Sequence, residues 1–260
     1  KTITIHGENE NIIKAIELIK NSNNRIHFCH VSSKEEIHYA KNKKIKNDVS
    51  VEVCPHHLFL TAKDLNELGN FGEMKPGLKT KDDQKALWEG IHNGKVDTIA
   101  TDHAPHTKEE KMQMNYPFGV PGCETMLPLL LNTLNNEKNN KKITLKKIVE
   151  LCCENPAKIF KIKNKGFIKE GFDADLAIID SSIEKEVENN GLFTKCKWSP
   201  FDGWKLKGWP ETTIVNGNVV FNARTKSGAR TESGIPQGDT NSVGNGKINN
   251  IAAKEVAYYE

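Results

Sequence analysis

Residues 96–111 read VDTIATDHAPHTKEEK, and the fold turns on how this stretch is parsed. Residues 96–100 form a short apolar run that reads as a buried strand. It delivers an acid, Asp102, and then two imidazoles, His103 and His106, across a turn that Pro105 stiffens. An acid at the carboxyl end of a strand, with histidines just beyond it, is how α/β barrels build metal-assisted sites. Taken alone, Asp102 reads better as the cap of the next helix. What outweighs that reading is the number of other strands that end the same way.

Working outward, residues 1–5 (KTITI) alternate like a strand and end at His6. Residues 8–21 place Ile12, Ile13, Ile16, Leu18 and Ile19 at amphipathic helical spacing. Residues 25–29 (RIHFC) give a second strand that ends at His30, and Ser33 with Glu36 has the spacing of a capping box, opening a helix to about residue 43. Residues 49–54 alternate Val51 and Val53 against Glu52 and Cys54 as a third strand, followed by His56 and His57. An insert over 58–79, broken by Gly69, Gly72, Pro76 and Gly77, precedes a helix over 81–91 for which Thr80 is the N-cap. Strand–helix repeats with short connections predict a parallel sheet, whose carboxyl ends share one face. All four strands finish on His or Asp, so these side chains are expected to converge.

Beyond the quoted stretch, residues 122–135 and 144–160 read as helices, the second broken or restarted by Pro156. From residue 165 the texture becomes all-β: a strand over 176–179, a further short strand around 205–209, and a hairpin over 213–221 turning at Asn216-Gly217. Residues 222–246 are rich in Gly, Ser, Thr and Asn without periodicity, and 222–260 reads as a flexible tail or linker. The expected domains are therefore 1–164, 165–221 and the tail 222–260.

The 260 residues are 37% hydrophobic and 27% charged, an ordinary balance for a globular protein. A mean hydropathy of −0.58, with no apolar run near the roughly 20 residues of a bilayer span, argues against a membrane protein. The net charge of +3 is scattered, and the lysine-rich stretches 41–46 and 138–147 read as solvated surface, not as a nucleic-acid face. Six cysteines (Cys29, Cys54, Cys123, Cys152, Cys153, Cys196) without CxxC spacing read as reduced thiols of a cytoplasmic protein. No signal peptide is read, and a chain that opens directly in a strand without Met is expected to be a piece of a longer polypeptide.

His6, His30 and Asp102 are the ligand types of a hydrolytic zinc site. A lone strand-end histidine is more often a hydrogen-bonded structural residue, and it is the spacing of the three that changes the weight. ATDHAPH over 100–106 with Lys111 beyond it, VEVCPHHL at 51–58 and CHVS at 29–32 resemble the dihydroorotases of the amidohydrolase superfamily. GFDADL at 171–176 and WSPFDGW at 198–204 are similar to the small β-sandwich domain and its approach in that superfamily. The resemblance covers about residues 1–221 and is nearest to the dihydroorotase domain of the eukaryotic multifunctional pyrimidine-synthesis protein.

That resemblance implies a (β/α)8 metal-dependent hydrolase barrel, with strands 5–8 present, and a small β-sandwich domain. It implies zinc-dependent reversible cyclisation of N-carbamoyl-L-aspartate to dihydroorotate, with two zinc ions in the complete enzyme. His6 and His30 would ligate one zinc, and Asp102 would bind the other and shuttle the proton. His106 and Lys75 would meet the substrate carboxylate, Lys75 standing where close relatives carry an Arg, and backbone at Pro117 and Gly119 would contact the ring. His103, His56 and His57 are expected to be supporting or packing residues, although a histidine pair invites the opposite reading. The partners implied are a small-molecule substrate and a homo-oligomer, fused to or associated with aspartate transcarbamoylase and carbamoyl-phosphate synthetase. The superfamily's His-x-His pair and bridging ligand do not occur here, so this stretch by itself is expected to turn over little substrate. Two alternatives stay open: another cyclic-amide hydrolase (dihydropyrimidinase, hydantoinase or allantoinase), and a non-catalytic scaffold.

Overall fold

The computed structural model describes residues 2–19, 21, 23–41, 48–135 and 143–223. The first half alternates as expected: β1 Thr2–Ile5, α1 Glu10–Ile19, β2 Arg25–Phe28, α2 Lys34–Ala40, β3 Val49–Val53, α3 Pro55–Phe59, α4 Leu65–Leu68, α5 Lys81–His92 and β4 Thr98–Ile99. These strands form one parallel sheet in the order β1-β2-β3-β4. β2 and β3 are buried on both faces, as parallel strands covered by helices must be. Phe28, Val51, Val53 and Ile99 from the strands pack with Ile37, Leu87, Trp88 and Ile91 from the helices in one core. Both expected caps are present as full capping boxes, Ser33 with Glu36 and Thr80 with Asp83. β4 is shorter than the sequence suggests because Asp97 spends its carboxylate on the Val51 N–H (2.8 Å) and on Lys41 (2.6 Å).

α6 Lys108–Lys111, α7 Met126–Asn132, α8 Leu145–Val149 and α9 Asn155–Ile159 follow. Pro156 lies in the first turn of α9, which continues from α8 through a wider turn. The turn before it widens over Glu150–Glu154, where the Asn155 N–H reaches back to the Glu150 carbonyl, and the wider turn absorbs the proline ring.

A second sheet is antiparallel, ordered β5-β6-β7, with β5 Leu176–Glu186, β6 Lys205–Val215 and β7 Asn218–Asn222. β5 is much longer than expected. Asp180 accepts from the Ser182 N–H and hydroxyl (2.8 and 2.6 Å), a local turn that reads as a strand end but becomes a bulge once β6 pairs on either side of it. The expected short strand near 205–209 and the first arm of the hairpin are likewise one strand, β6. The hairpin turns where expected, with φ of 50° at Asn216 and 77° at Gly217. Leu129 of α7, Val120, Trp198, Phe201 and Leu206 form a second core that joins this sheet to the parallel one. Residues 224–260 of the expected tail, and 42–46 and 138–142 of the lysine-rich stretches, lie outside the described residues.

Gly208 is where β6 meets α7: its φ is +99°, and a Cβ there would stand 2.6 Å from that of Leu131. Gly217 also has positive φ but opens onto free space. Gly208→Ala is therefore expected to lower the unfolding free energy by about 1–3 kcal/mol, and by more than Gly217→Ala. Urea melts check this as a lower midpoint at unchanged slope.

Candidate metal and substrate site

The carboxyl ends of the parallel strands bring His6 and His30 together. Their rings meet edge to face with centroids 4.2 Å apart, and His6 Nδ1 faces His30 Nε2 in direct contact. His30 is 3% exposed, and its Nδ1 is buried without a partner. Burial, and then the neighbouring His6, push the His30 imidazole below its ordinary pKa, while Asp102 and Glu52 pull the other way. Asp102, after β4, thus stands within electrostatic reach of His30 across the sheet. His30 and Asp102 also share an uncommon backbone, with φ of 38° and 44° in the left-handed region. Non-glycine residues adopt it at a cost, and such outliers concentrate at functional sites.

Two carboxylates hold this arrangement. Glu52, on β3, takes the His30 N–H (3.3 Å) on one oxygen and faces His27 Nε2 (3.2 Å) with the other. Glu36 is fully buried in α2. One of its oxygens accepts from the Asn9 N–H (3.0 Å), in the loop after His6. The other accepts from the Ser32 N–H (2.8 Å), the Ser32 hydroxyl (3.1 Å) and the Ser33 N–H (3.0 Å), in the loop after His30. Burial alone would raise the Glu36 pKa; these hydrogen bonds outweigh it and hold the carboxyl below its ordinary value.

The expected substrate residues gather around a third hub, Lys111, whose side chain is sealed from solvent. Its ammonium donates to the carbonyls of Glu73 (3.0 Å), Pro117 (2.9 Å) and Gly119 (3.2 Å). Burial lowers its pKa, with Glu73 opposing. Gly119, at φ +126°, approaches Ala104 so closely that a Cβ would lie 2.5 Å from that of Ala104. Between these two anchored residues the Phe118 carbonyl accepts from His106 Nε2 (3.1 Å), and Lys75 Nζ sits 4.4 Å from the Phe118 ring centre. Lys75, His106, Pro117 and Gly119 therefore do share one place. The carbonyls of Pro117 and Gly119, however, already bind Lys111.

A family model described as the amidohydrolase family matches residues 1–220. The chain belongs to the amidohydrolase family. Among curated proteins it is similar to a dihydroorotase of Anoxybacillus flavithermus, 41% identical over 217 residues, which cover 82% of this chain and 50% of the relative. It is also similar to a dihydroorotase of Halobacterium salinarum, 35% identical over 226 residues, 86% of this chain and 51% of the relative. Among solved structures, L-hydantoinase (dihydropyrimidinase) from Arthrobacter aurescens superposes with a TM-score of 0.75 at 34% identity, over 82% of this chain and 48% of that one. D-hydantoinase (dihydropyrimidinase) from Thermus sp. shares the fold, with a TM-score of 0.74 at 23% identity, over 82% of this chain and 48% of that one. The chain thus spans about half the length of the curated relatives it matches.

The four parallel strands are accordingly part of the amidohydrolase (β/α)8 barrel, a metal-dependent hydrolase fold, and the residues present suit a cation chemically. The His30 imidazole, its pKa lowered by burial, offers a lone pair, two ring nitrogens face one another, a carboxylate lies within electrostatic reach, and one ring nitrogen is buried without a partner. That donor set fits zinc. His103 acts in packing, its Nδ1 accepting from the N–H groups of Gly122 (3.0 Å) and Cys123 (3.3 Å). His56 and His57 are fully buried, and burial first of all keeps both imidazoles neutral. Sequence reasoning missed Glu52 and Lys111 as supports, although an acid inside a buried strand was the available signal for Glu52. It found Glu36 only as a cap.

Two expectations follow for this amidohydrolase. Lys111→Met leaves the Pro117 and Gly119 carbonyls without their donor, while the Glu73 carbonyl keeps the Gly119 N–H, and should cost about 1–3 kcal/mol for each group left unsatisfied, with amide exchange at 112–119 accelerating most. Glu36→Gln should be less stable than wild type at neutral pH. A depressed carboxyl pKa contributes stability above the unfolded value of about 4.3, and that contribution is lost as pH falls through the folded value. The gap between the two proteins should therefore close in acid, as urea melts at a series of pH values would record.

Proposed function

We propose that the protein carrying this chain is a dihydroorotase, interconverting N-carbamoyl-L-aspartate and dihydroorotate in pyrimidine synthesis. The observation that carries the reading is the meeting of His6 and His30 at two strand ends, with Asp102 in electrostatic reach from a third. Its likeness to curated dihydroorotases supports the substrate. His6 and His30 would hold one zinc and Asp102 the other; when bound, two zinc ions supply Lewis-acid activation of water and of the amide carbonyl.

The side chains do the rest. Asp102 takes the proton of the attacking water and returns it to the ring nitrogen that leaves, so one carboxylate serves both steps. His106 already donates from Nε2 to the Phe118 carbonyl. It can therefore offer Nδ1–H to the substrate carboxylate only as the imidazolium. Lys75, laid over Phe118, neutralises the same carboxylate as a point charge without the paired donors of an arginine. Pro117 and Gly119 stay in the reading as the wall against the ring, fixed from behind by Lys111. We assign residues 1–164 to the barrel and 165–221 to the small β domain, which their separate sheets support. A homo-oligomer, fusion to or association with aspartate transcarbamoylase and carbamoyl-phosphate synthetase, and a cytoplasmic location complete the proposal on the sequence resemblance.

The likeness to L-hydantoinase favours a second reading, a hydantoinase or dihydropyrimidinase, in which no substrate carboxylate meets Lys75 and His106. Assay of the natural polypeptide with zinc against dihydroorotate, dihydrouracil and allantoin separates the two. Dihydroorotate should be hydrolysed with the highest kcat/KM, and Asp102→Asn should lower kcat by about 10²–10⁴-fold. Faster turnover of dihydrouracil would transfer the assignment to the second reading.

A further inference from the structure

Cys54, His56 and His57 close β3 and open α3, a Cys-x-His-His run that the reaction does not use. The three residues are buried, and one ligand atom from each, a sulfur and two ring nitrogens, lies within 4.8 Å of the others. His57 Nε2 is 3.0 Å from the Pro76 carbonyl. A carbonyl only accepts, so Nε2 carries the proton and Nδ1 presents a lone pair. That Nδ1 is buried and has no hydrogen-bond partner. An imidazole whose far N–H is fixed by a backbone carbonyl, with the other nitrogen left bare, is how proteins aim a histidine at a metal. Plain core histidines would account for the burial but not for a bare ring nitrogen on a member of such a group.

We propose that Cys54, His56 and His57 form a second cation site, separate in its ligands from His6, His30 and Asp102, for a soft d¹⁰ ion, Zn(II) or Cu(I). One thiolate and two imidazoles suit these ions and reject Mg²⁺ and Ca²⁺. On binding, the Cys54 S–H bond breaks, its electron pair goes to the cation and the proton leaves to solvent. A site this enclosed is loaded as the chain folds. Its effect is structural: it ties the start of α3 to the insert through His57 and Pro76. The inference is independent of the dihydroorotase reading.

The test strips the natural polypeptide of metal in denaturant with chelator and refolds it with Co(II), with Zn(II), or with Cu(I) under reductant and without oxygen. X-ray absorption at the zinc or copper edge should show a sulfur scatterer together with imidazole nitrogens, and the better-filled arm identifies the ion. The Co(II) protein should show a sulfur-to-metal charge-transfer band that survives His30→Ala and Cys29→Ser. Cys54→Ser should abolish the band and remove about one equivalent of metal; His57→Gln should weaken it. An absorption edge without sulfur overturns the proposal on wild-type protein alone, whatever the variants do. So does a band that outlasts Cys54→Ser or disappears with Cys29→Ser.

Discussion

A carboxylate sealed from water needs hydrogen-bond donors on both oxygens, and Glu36 finds them on two different strand-end loops. That requirement couples the loop after β1 to the loop after β2. The first carries His6 and the second His30, so satisfying one buried charge sets how the two imidazoles meet. Glu52 repeats the device from β3 by holding the His30 N–H. The convergence expected of a parallel sheet brings strand ends to one face, but it does not by itself fix how their side chains meet. Glu36 and Glu52 remove that freedom, and His30 takes up the left-handed backbone that results.

Lys111 works by the opposite sign. An ammonium out of reach of water gathers three carbonyls, and in doing so folds residues 117–119 against Glu73 and Ala104. The chain therefore reaches Phe118 with its backbone fixed on both sides, which is what lets Lys75 and His106 share one short segment. The core below is ordinary close packing. What sets the upper surface of this amidohydrolase is the accounting of a few buried charges.

Much of this was legible in the sequence because it is local. The β/α alternation, the capping boxes at Ser33 and Thr80, and the Asn216-Gly217 turn each depend on residues a few positions apart. The pairing of His6 with His30 was legible for a different reason: parallel strands put their ends side by side. What could not be read depends on partners far along the chain. Asp180 looks like a strand end until β6 is there to pair beyond it. Pro156 looks like a break until the turn before it widens. Lys111 stands out in sequence only as the end of the 100–111 motif, since nothing nearby in sequence announces the carbonyls of Glu73 and Gly119. Asp and His are among the non-glycine types that tolerate positive φ, but that tolerance does not single out His30 or Asp102 from the other residues of their types.

The proposed site requires His6 and His30 to share one cation at the sheet's carboxyl edge, with Asp102 facing it. Anomalous diffraction at the zinc edge, on crystals of the zinc-loaded polypeptide, addresses this directly. It should place a peak at about 2.0–2.1 Å from one ring nitrogen of each histidine, with the Asp102 carboxylate turned toward it. Zinc bound elsewhere, with the two rings left in contact with each other, would contradict it.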